Sequence, residues 1–413
     1  MAKADLFKLF RQETSRLDEA GVSKRHEHII EGFTFSPSPR ALISGKPYHI
    51  FNSNDYLGLR FNPQMLEAEH EAAKIFGTGP GAVRFISGSL AVHRELETAL
   101  AQFHGRDDAI VFSSAFAANL AVISSLIKGQ SKDSLVGSDT LVLSDQLNHR
   151  SIVEGIRVAN LPDTQRLVFP HFDFSTLRNL LSEHVGKFSR ALILTDGVFS
   201  MLGQYTDLKE LTAIAQEFDS KYPLGVLLFV DDCHGIGVLG GTGRGVEEVY
   251  SVQSDVLVGT LGKAFGTDGG YVVANQATID YLRESAATYI YSNPISAGTA
   301  AAARKALSIV ASPSGKKLLV SLQKNISGFK NLIRTSKIKL AADSGHAIQP
   351  LLIGDTLKAK ELEMHLFKNG ILVTGITYPV VPKGQDEIRV QLSALHTDKD
   401  LDEFASALSD FSV

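Results

Sequence analysis

Short, uninterrupted apolar runs recur along the chain, and polar side chains follow each of them directly. The runs cover residues 109–112, 141–143, 191–194, 226–230 and 256–258. Runs of this kind are typical of parallel strands that are buried on both faces. Ligands of open parallel sheets bind outside the carboxyl ends of the strands. The polar residues after these runs therefore predict a functional site.

The segments between the runs have the apolar spacing of helices. Residues 92–103 and 208–218 each place their apolar side chains on one helical face. Strands that alternate with such helices indicate an α/β fold with a parallel sheet. At the start of the chain, residues 1–21 carry an apolar stripe and predict an amphipathic helix.

The pattern divides the chain into three parts. We predict an N-terminal helix and arm over 1–52, a large domain over 53–300 and a smaller C-terminal α+β domain over 301–413. A turn-rich segment at 311–316 follows an alanine-rich helix predicted over 296–310. The elements predicted in the last part are a strand over 349–354, a helix over 357–369 and a strand over 387–393.

The composition is that of an ordinary globular protein. Of the 413 residues, 44% are hydrophobic and 21% are charged. The net charge of −4 shows no overall excess of basic residues of the kind that binds nucleic acid. The single cysteine, Cys233, excludes an intramolecular disulfide and a cysteine-rich zinc cluster. The N-terminus lacks the apolar core of a signal peptide and is too acidic for a transit peptide. With no apolar stretch long enough to span a membrane, we expect a cytoplasmic protein.

Lys263 comes just past the apolar run 256–258, between Gly262 and Ala264. These small neighbours leave room for a bulky group against the backbone. A lysine held in such a pocket can act as an amine nucleophile, which is what Schiff-base chemistry with pyridoxal 5′-phosphate (PLP) requires. The alternative is a solvated lysine at a strand end.

Asp231 ends the most apolar run of the chain, and His234 follows three residues later. A carboxylate at the end of a buried strand needs a partner, and a protonated pyridine nitrogen provides one. His234 could hydrogen-bond a phenolic oxygen of the same ring. Asp231 could instead cap a turn. The spacing of Asp231, Asp232 and His234 matches no compact metal signature, so no metal is expected.

Three further strand ends carry groups that suit a ring and its phosphate. His149 could lie flat on a conjugated ring, or be a loop histidine bonded to the backbone. Ala115 and Phe116 lead from a strand into a helix, whose N-terminal amides favour phosphate. Thr260 offers a hydroxyl to the same phosphate. Phe116 could also be simple core packing.

Five short motifs follow in order between about Asn52 and the C-terminus. They are AsnAspTyrLeuGly at 54–58, ArgPheIleSerGly at 84–88, AspGlyValPheSerMet at 196–201, ValAspAspCysHisGly at 230–235 and ThrLeuGlyLys at 260–263. Together they resemble the α-oxoamine synthases, a PLP-dependent family that joins an amino acid to an acyl-CoA. The resemblance implies an α/β, fold-type I PLP-dependent transferase similar to aspartate aminotransferase. Such a fold has a mainly parallel seven-stranded sheet in a large domain and a smaller α+β C-terminal domain.

The resemblance implies a role for each residue at a matching position. The expected catalytic set is Lys263, which forms the imine with PLP, Asp231 at the pyridine nitrogen, His149 stacked on the ring, and His234. The resemblance also implies that Ser200 and His234 contact the phenolic oxygen of PLP. Ala115, Phe116 and Thr260 are implied to bind its phosphate. Ser292 and Asn293 are implied to reach the phosphate bound by the neighbouring subunit of a homodimer. The implied substrate contacts are Arg389 at the carboxylate, Asn54 in the pocket, and Arg25.

Within the family, residues 378–385 and 387–397 most resemble the branch that joins glycine to acetyl-CoA. That branch retains the carboxylate, forms 2-amino-3-oxobutanoate and serves threonine breakdown. Residues 266–271 look nearer to serine-using members with long acyl chains. Alanine with a pimeloyl thioester, or serine or glycine with other acyl-CoAs, is therefore the alternative. A remoter one is a non-catalytic PLP-binding regulator, which would need a DNA-binding module that the sequence does not predict.

Overall fold

The computed structural model describes residues 2–35 and 37–411. Its helices are, in chain order, α1 (Ala2–Glu19), α2 (Pro63–Phe76), α3 (Ala91–His104), α4 (Ala115–Ile127), α5 (Arg150–Ala159), α6 (Phe174–Glu183), α7 (Leu208–Asp219), α8 (Val246–Tyr250), α9 (Gln276–Ser285), α10 (Ala287–Ile290), α11 (Ala297–Val310), α12 (Pro313–Arg334), α13 (Thr356–Lys368) and α14 (Asp398–Ser409). Its strands are β1 (Gly32–Phe35), β2 (Pro39–Ile43), β3 (Lys46–Ile50), β4 (Asp108–Phe112), β5 (Thr140–Asp145), β6 (Arg166–Phe169), β7 (Arg190–Asp196), β8 (Val226–Asp231), β9 (Val256–Thr260), β10 (Gly270–Ala274), β11 (Lys339–Leu340), β12 (Ile348–Leu352), β13 (Ile371–Leu372), β14 (Thr374–Ile376) and β15 (Glu387–Gln391).

The chain folds as two compact units. The smaller unit combines Met1–Ser53 with Lys324–Val413, and the larger unit is Asn54–Gln323. The N-terminal arm joins the C-terminal part because β3 pairs in parallel with β13. The predicted boundary between the large domain and the C-terminal domain, at residue 300, lies inside the larger unit. Helix α11 follows that boundary and packs against α2 and α3 of the larger unit.

A seven-stranded sheet forms the centre of the larger unit. Its strand order is β4-β10-β9-β8-β7-β5-β6. The pairs from β9 to β6 are parallel, whereas β10 is antiparallel to both of its neighbours. The mainly parallel sheet is therefore confirmed, with the predicted apolar runs forming β4, β5, β7, β8 and β9. The helices expected between the runs at 92–103 and 208–218 are confirmed as α3 and α7.

Helices α4 and α5 pack closely together against the sheet. Their apolar residues share one buried cluster with side chains of β4, β5, β7, β8, β9 and β10. Gly155 of α5 permits the close approach, because a Cβ atom there would lie only 2.9 Å from the Asn119 carbonyl oxygen and 3.0 Å from Ile123 Cβ. This packing brings Asn119 of α4 and Ser151 of α5 together below the ends of the strands.

The smaller unit contains two four-stranded sheets. Their strand orders are β1-β2-β3-β13 and β11-β12-β15-β14. The predicted strands at 349–354 and 387–393 form β12 and β15, and the helix predicted at 357–369 forms α13. In the arm, the amphipathic pattern at 1–21 gives α1, although Met1 lies outside the described residues. Among the described residues, no helix combines the length and apolar character that a transmembrane segment needs.

Candidate active site

A cavity lies at the carboxyl ends of the parallel strands of the larger unit. The residues that line it are Ala115, Phe116, His149, Ser151, Asp196, Val198, Ser200, Asp231, Cys233, His234 and Lys263. Each of the five apolar runs is thus followed by at least one residue of this lining. Of the predicted cofactor contacts, Thr260, Ser292 and Asn293 are not part of this lining.

Lys263 is half-buried in the turn that follows β9. Its carbonyl oxygen accepts a hydrogen bond from Gly266 N at 2.9 Å, and Gly266 adopts a φ of 67°. A side chain on Gly266 would collide with the backbone of Arg60, so glycine lets the turn pack against that segment. The turn holds Lys263 at the cavity wall.

Asp231 ends β8 and is buried, with 6% of its surface exposed. Asn119 Nδ2 donates to one carboxylate oxygen, and Cys233 N donates to the other at 3.0 Å. None of the ion pairs among the described residues involves this carboxylate. A buried charge of this kind is costly without a cation beside it. A protonated pyridine nitrogen would supply that cation, so the residues present fit PLP.

A chain of side-chain hydrogen bonds leads from Asp231 to His149. Asn119 Nδ2 also donates to Ser151 Oγ at 2.8 Å, and Ser151 Oγ lies 2.7 Å from His149 Nδ1. The backbone N–H of Ser151 donates to the same Nδ1 at 3.3 Å. Because Nδ1 accepts, the neutral ring carries its proton on Nε2. Burial lowers the pKa of His149 and keeps the ring neutral, with Asp231 acting in the opposite direction.

Asp196 fixes the backbone beside His149. Its Oδ2 accepts from His149 N at 2.9 Å, and its own backbone N–H donates to Asn148 Oδ1 at 2.9 Å. Burial raises the pKa of Asp196 well above its usual range, and the Asp231 charge adds to the shift. The Phe116 ring meets His149 edge to face, with centroids 6.4 Å apart.

The N-terminus of α4 forms the other end of the cavity. Ser114 caps the helix, its Oγ accepting from Ala117 N at 3.1 Å. The first amides of a helix have no partner within it and favour anions, which suits the phosphate of PLP. Gly270 of β10 lies against this terminus, where a side chain would collide with Ala115 N. Nearby on β9, Thr260 Oγ1 donates to Gly269 O at 3.1 Å.

His234 is held from the side of the motif at 54–58. The Tyr56 hydroxyl donates to Asn54 Oδ1 at 3.2 Å and lies 2.8 Å from His234 Nδ1. Tyr56 is fully buried, and His234 is 8% exposed. The predicted pocket residue Asn54 therefore connects to His234 through Tyr56.

The other predicted residues are not among those that line this cavity. Ser292 and Asn293 belong to the loop between α10 and α11 of the larger unit, and Asn293 is exposed. Arg25 and Arg389 belong to the smaller unit. Arg25 is exposed and forms an ion pair with Asp18, whereas Arg389 is 9% exposed within β15.

Several residues at the cavity carried no predicted role. Asn119, Ser151, Tyr56 and Asp196 position Asp231, His149 or His234 through the hydrogen bonds above. Asn119 left a usable signal, because it is the one polar residue within the otherwise apolar segment 115–123, where an asparagine needs a buried hydrogen-bond partner. Ser151 left none, since a serine in the first turn of a helix is common.

Residues 47–408 match the family described as aminotransferase class I and II. The 8-amino-7-oxononanoate synthase of Geobacter metallireducens is 37% identical over 95% of each chain. The mitochondrial 2-amino-3-ketobutyrate coenzyme A ligase of Bos taurus is 35% identical over 98% of this chain and 92% of its own. A solved serine palmitoyltransferase from S. paucimobilis, with a bound adduct of PLP and myriocin, has a TM-score of 0.86 and 27% identity, covering 98% of this chain and 97% of its own.

These matches extend over nearly the whole chain, and the Geobacter synthase and the Bos taurus ligase are each more than 30% identical to it. They agree with the seven-stranded, mainly parallel sheet and with the buried carboxylate that fits a pyridinium. The chain therefore belongs to the aminotransferase class I and II family and, within it, to the PLP-dependent α-oxoamine synthases.

Proposed function

We propose that the chain is a glycine C-acetyltransferase, which joins glycine to acetyl-CoA to give 2-amino-3-oxobutanoate and CoA. One observation carries the choice of substrates, namely the resemblance of residues 378–397 to that branch of the family. The 35% identity to the Bos taurus ligase over 98% of this chain supports it. In cells the reverse reaction would complete threonine breakdown.

The reaction forms one carbon–carbon bond and releases one thiol. The α-carbon of glycine loses a proton and attacks the thioester carbonyl carbon of acetyl-CoA, and the carbon–sulfur bond breaks. When bound, PLP supplies the electron sink that makes the α-proton acidic. Lys263, on the cavity wall, is the proposed base that takes this proton, which finally protonates the CoA sulfur.

The remaining proposed roles concern binding and orientation. Asp231 holds the ring nitrogen protonated, and Asn119 keeps the carboxylate in place. His149, which burial keeps neutral, would stack on the ring, where a cation would oppose the pyridinium. Ser200 and His234 bind the phenolic oxygen. The phosphate is bound by the Ala115 and Phe116 amides and by Thr260.

The active sites of a homodimer are proposed to be shared. Ser292 and Asn293 would reach the phosphate bound by the neighbouring subunit, which agrees with their position outside the cavity of their own chain. Arg389 would bind the glycine carboxylate, with Asn54 and Arg25 assisting. The division into an arm, a PLP-binding domain and a C-terminal domain is part of the same proposal.

A second candidate is an 8-amino-7-oxononanoate synthase, which condenses alanine with a pimeloyl thioester. The observation in its favour is sequence identity. The 8-amino-7-oxononanoate synthase of Hahella chejuensis is 40% identical over 90% of the length of this chain. Both candidates assign the same roles to the residues of this chain's cavity. They differ in the amino acid, in the acyl chain and in whether the carboxylate is retained.

Release of CoA separates the candidates. The holoenzyme is assayed with glycine, alanine or serine, each paired with acetyl-CoA, pimeloyl-CoA or palmitoyl-CoA. We expect the highest kcat/KM for glycine with acetyl-CoA. A higher value for alanine with pimeloyl-CoA would establish the second candidate instead. No CoA release with any pair would favour the non-catalytic regulator.

A further inference from the structure

Asp232 follows Asp231 directly, yet the two carboxyl groups have different surroundings. Asp231 lines the cavity, whereas Asp232 lies outside the lining and has no exposed surface. Asp232 Oδ2 accepts a hydrogen bond from Val246 N, at the start of α8, at 2.7 Å. Its Oδ1 has no hydrogen-bond partner among the described residues. The proposed chemistry leaves this buried acid unused.

Three glycines enclose the Asp232 carboxyl group. A side chain on Gly197 or Gly235 would collide with Oδ1, and one on Gly245 would collide with Oδ2. Gly197 belongs to the loop after β7, while Gly235 and Gly245 belong to the loop after β8. The carboxyl group therefore fills the space in which these two loops meet.

The same two loops carry residues of the cavity. Ser200 comes three residues after Gly197, and His234 directly precedes Gly235. We infer that Asp232 is a positioning residue: its carboxyl group holds the loop of Ser200 against the loop of His234, so that both side chains reach the same edge of the cofactor. The inference rests on the proposed cofactor contacts of Ser200 and His234, and it does not depend on which amino acid or acyl-CoA is used.

The surroundings of Asp232 favour its neutral form. Burial raises the pKa of Asp232 well above its ordinary value, and the Glu247 and Asp231 carboxylates act in the same direction, while the Val246 amide opposes them. Tyr271 of β10 also interacts electrostatically with Asp232, and burial raises the pKa of that phenol too. A neutral acid resembles an amide in shape and hydrogen bonding. Asparagine should therefore replace Asp232 and keep the two loops in place.

The first test compares Asp232→Asn with Asp232→Ala without using turnover. For each variant, the dissociation constant of PLP and the pH midpoint of the absorbance of the bound cofactor are measured. The alanine variant should bind PLP roughly tenfold more weakly and shift the midpoint, because Ser200 and His234 move. The asparagine variant should keep both values. If the alanine variant keeps the PLP affinity and the pH midpoint of the parent chain, the inference is overturned. If the alanine variant does not fold, Asp232→Ser provides the same comparison.

The second test uses the pH dependence of unfolding. An acid whose pKa is raised in the fold contributes its stability below its unfolded pKa, and the contribution is lost as pH rises. The difference between the unfolding temperature of Asp232→Asn and that of the parent chain should therefore become more positive as the pH is raised from about 4 to about 8. A constant or falling difference would show that Asp232 is charged in the fold and would overturn the inference.

Asp108 provides the matched control. It is also buried, but it begins β4 and pairs with Arg94 at 2.6 Å. Burial raises its pKa, yet the hydrogen bonds from Arg94 and Ala109 N prevail and hold the pKa below the usual value. The pKa shift of Asp108 thus has the opposite sign to that of Asp232. The variant Asp108→Asn should therefore lose most stability near neutral pH and least in acid. It should not shift the pH midpoint of the cofactor absorbance.

Discussion

Asn119 on α4 donates a hydrogen bond to the Asp231 carboxylate at the end of β8, and the same amide nitrogen donates to Ser151 Oγ at 2.8 Å. One side chain therefore connects Asp231, the carboxylate proposed to face the pyridine nitrogen, to Ser151, which bonds to His149. The Asn119 side chain is completely buried, so it cannot exchange these partners for water.

We expect Asn119→Ala to weaken PLP binding and turnover together. The substitution leaves a buried carboxylate short of one donor, which costs about 1–3 kcal/mol and corresponds to roughly tenfold to hundredfold in affinity. Fluorescence titration with PLP and the rate of CoA release measure the two effects. The matched control is Ser125→Ala on the same helix, whose hydroxyl bonds to Ser285 O at 3.1 Å. If both variants bind PLP equally well, Asn119 does not orient Asp231.

Asp231→Asn should fold normally and lose turnover by several orders of magnitude. The neutral amide cannot hold the ring proton by ion pairing. Turnover near that of the parent enzyme would mean that Asp231 only caps the turn at Cys233 N. Circular dichroism and the unfolding temperature establish that the variant retains its fold.

The strand ends were predictable from sequence because each polar group follows its apolar run within a few residues. Asp231, His149 and Lys263 are examples, and all three line the cavity. The contacts that orient them were not predictable in this way. Asn119 lies 112 residues before Asp231, and Tyr56 lies 178 residues before His234. Such pairs are made by the packing of the fold, and periodicity carries no information about them.

Strand β10 and the arm show two further limits of the pattern. All five residues of β10 are buried, so the strand shows no alternation, and nothing in its pattern reveals that it runs antiparallel to β4 and β9. The arm strands β1, β2 and β3 are only four or five residues long. Their pairing with one another and with β13 brings the N-terminal arm into the smaller unit. Neither the length nor the composition of these segments indicates that association.

Gly270→Ala should weaken PLP binding by disturbing the N-terminus of α4. The added methyl group would collide with Ala115 N and force β10 and α4 apart. Because the first amides of α4 are the proposed phosphate ligands, we expect affinity to fall roughly tenfold or more. The dissociation constant for PLP is the measurement.

The control for Gly270 is Gly137→Ala, an exposed position with nothing within 4 Å of the added methyl group. It should leave PLP affinity and stability nearly unchanged, within about 0.5 kcal/mol. Equal PLP affinity in the two alanine variants would show that the approach of β10 does not shape the phosphate site.

Hybrid dimers test whether the active sites are shared. Lys263→Ala inactivates its own site, and Asn293→Ala should impair the site of the neighbouring subunit. Each variant alone should be inactive or nearly so. In a mixture, some hybrid dimers contain one site with both Lys263 and Asn293, and part of the activity should return. Hybrids that form, as shown by differently tagged chains, and yet remain inactive would contradict the shared site.

Arg389 is the residue proposed to bind the carboxylate of the amino acid substrate. It lies on β15 between β12 and β14, paired with Pro350 and Thr374, and alternation places it on the opposite face from Ile388 and Val390. Burial raises the pKa of Glu387, two residues earlier, to about 8, although Arg389 itself acts in the opposite direction. At pH 7 that acid is therefore largely neutral.

Arg389→Lys should raise the KM for glycine far more than the KM for acetyl-CoA. The planar guanidinium can bind a carboxylate through two parallel hydrogen bonds, whereas the lysine ammonium offers only a point charge. Losing one such charge-assisted bond costs about 1.5–3 kcal/mol, so we expect a rise of roughly tenfold to hundredfold. Steady-state kinetics with each substrate varied in turn provide the comparison. An equal rise for both substrates would mean that Arg389 supports the sheet rather than the amino acid carboxylate, and a larger rise for acetyl-CoA would assign it to the acyl donor.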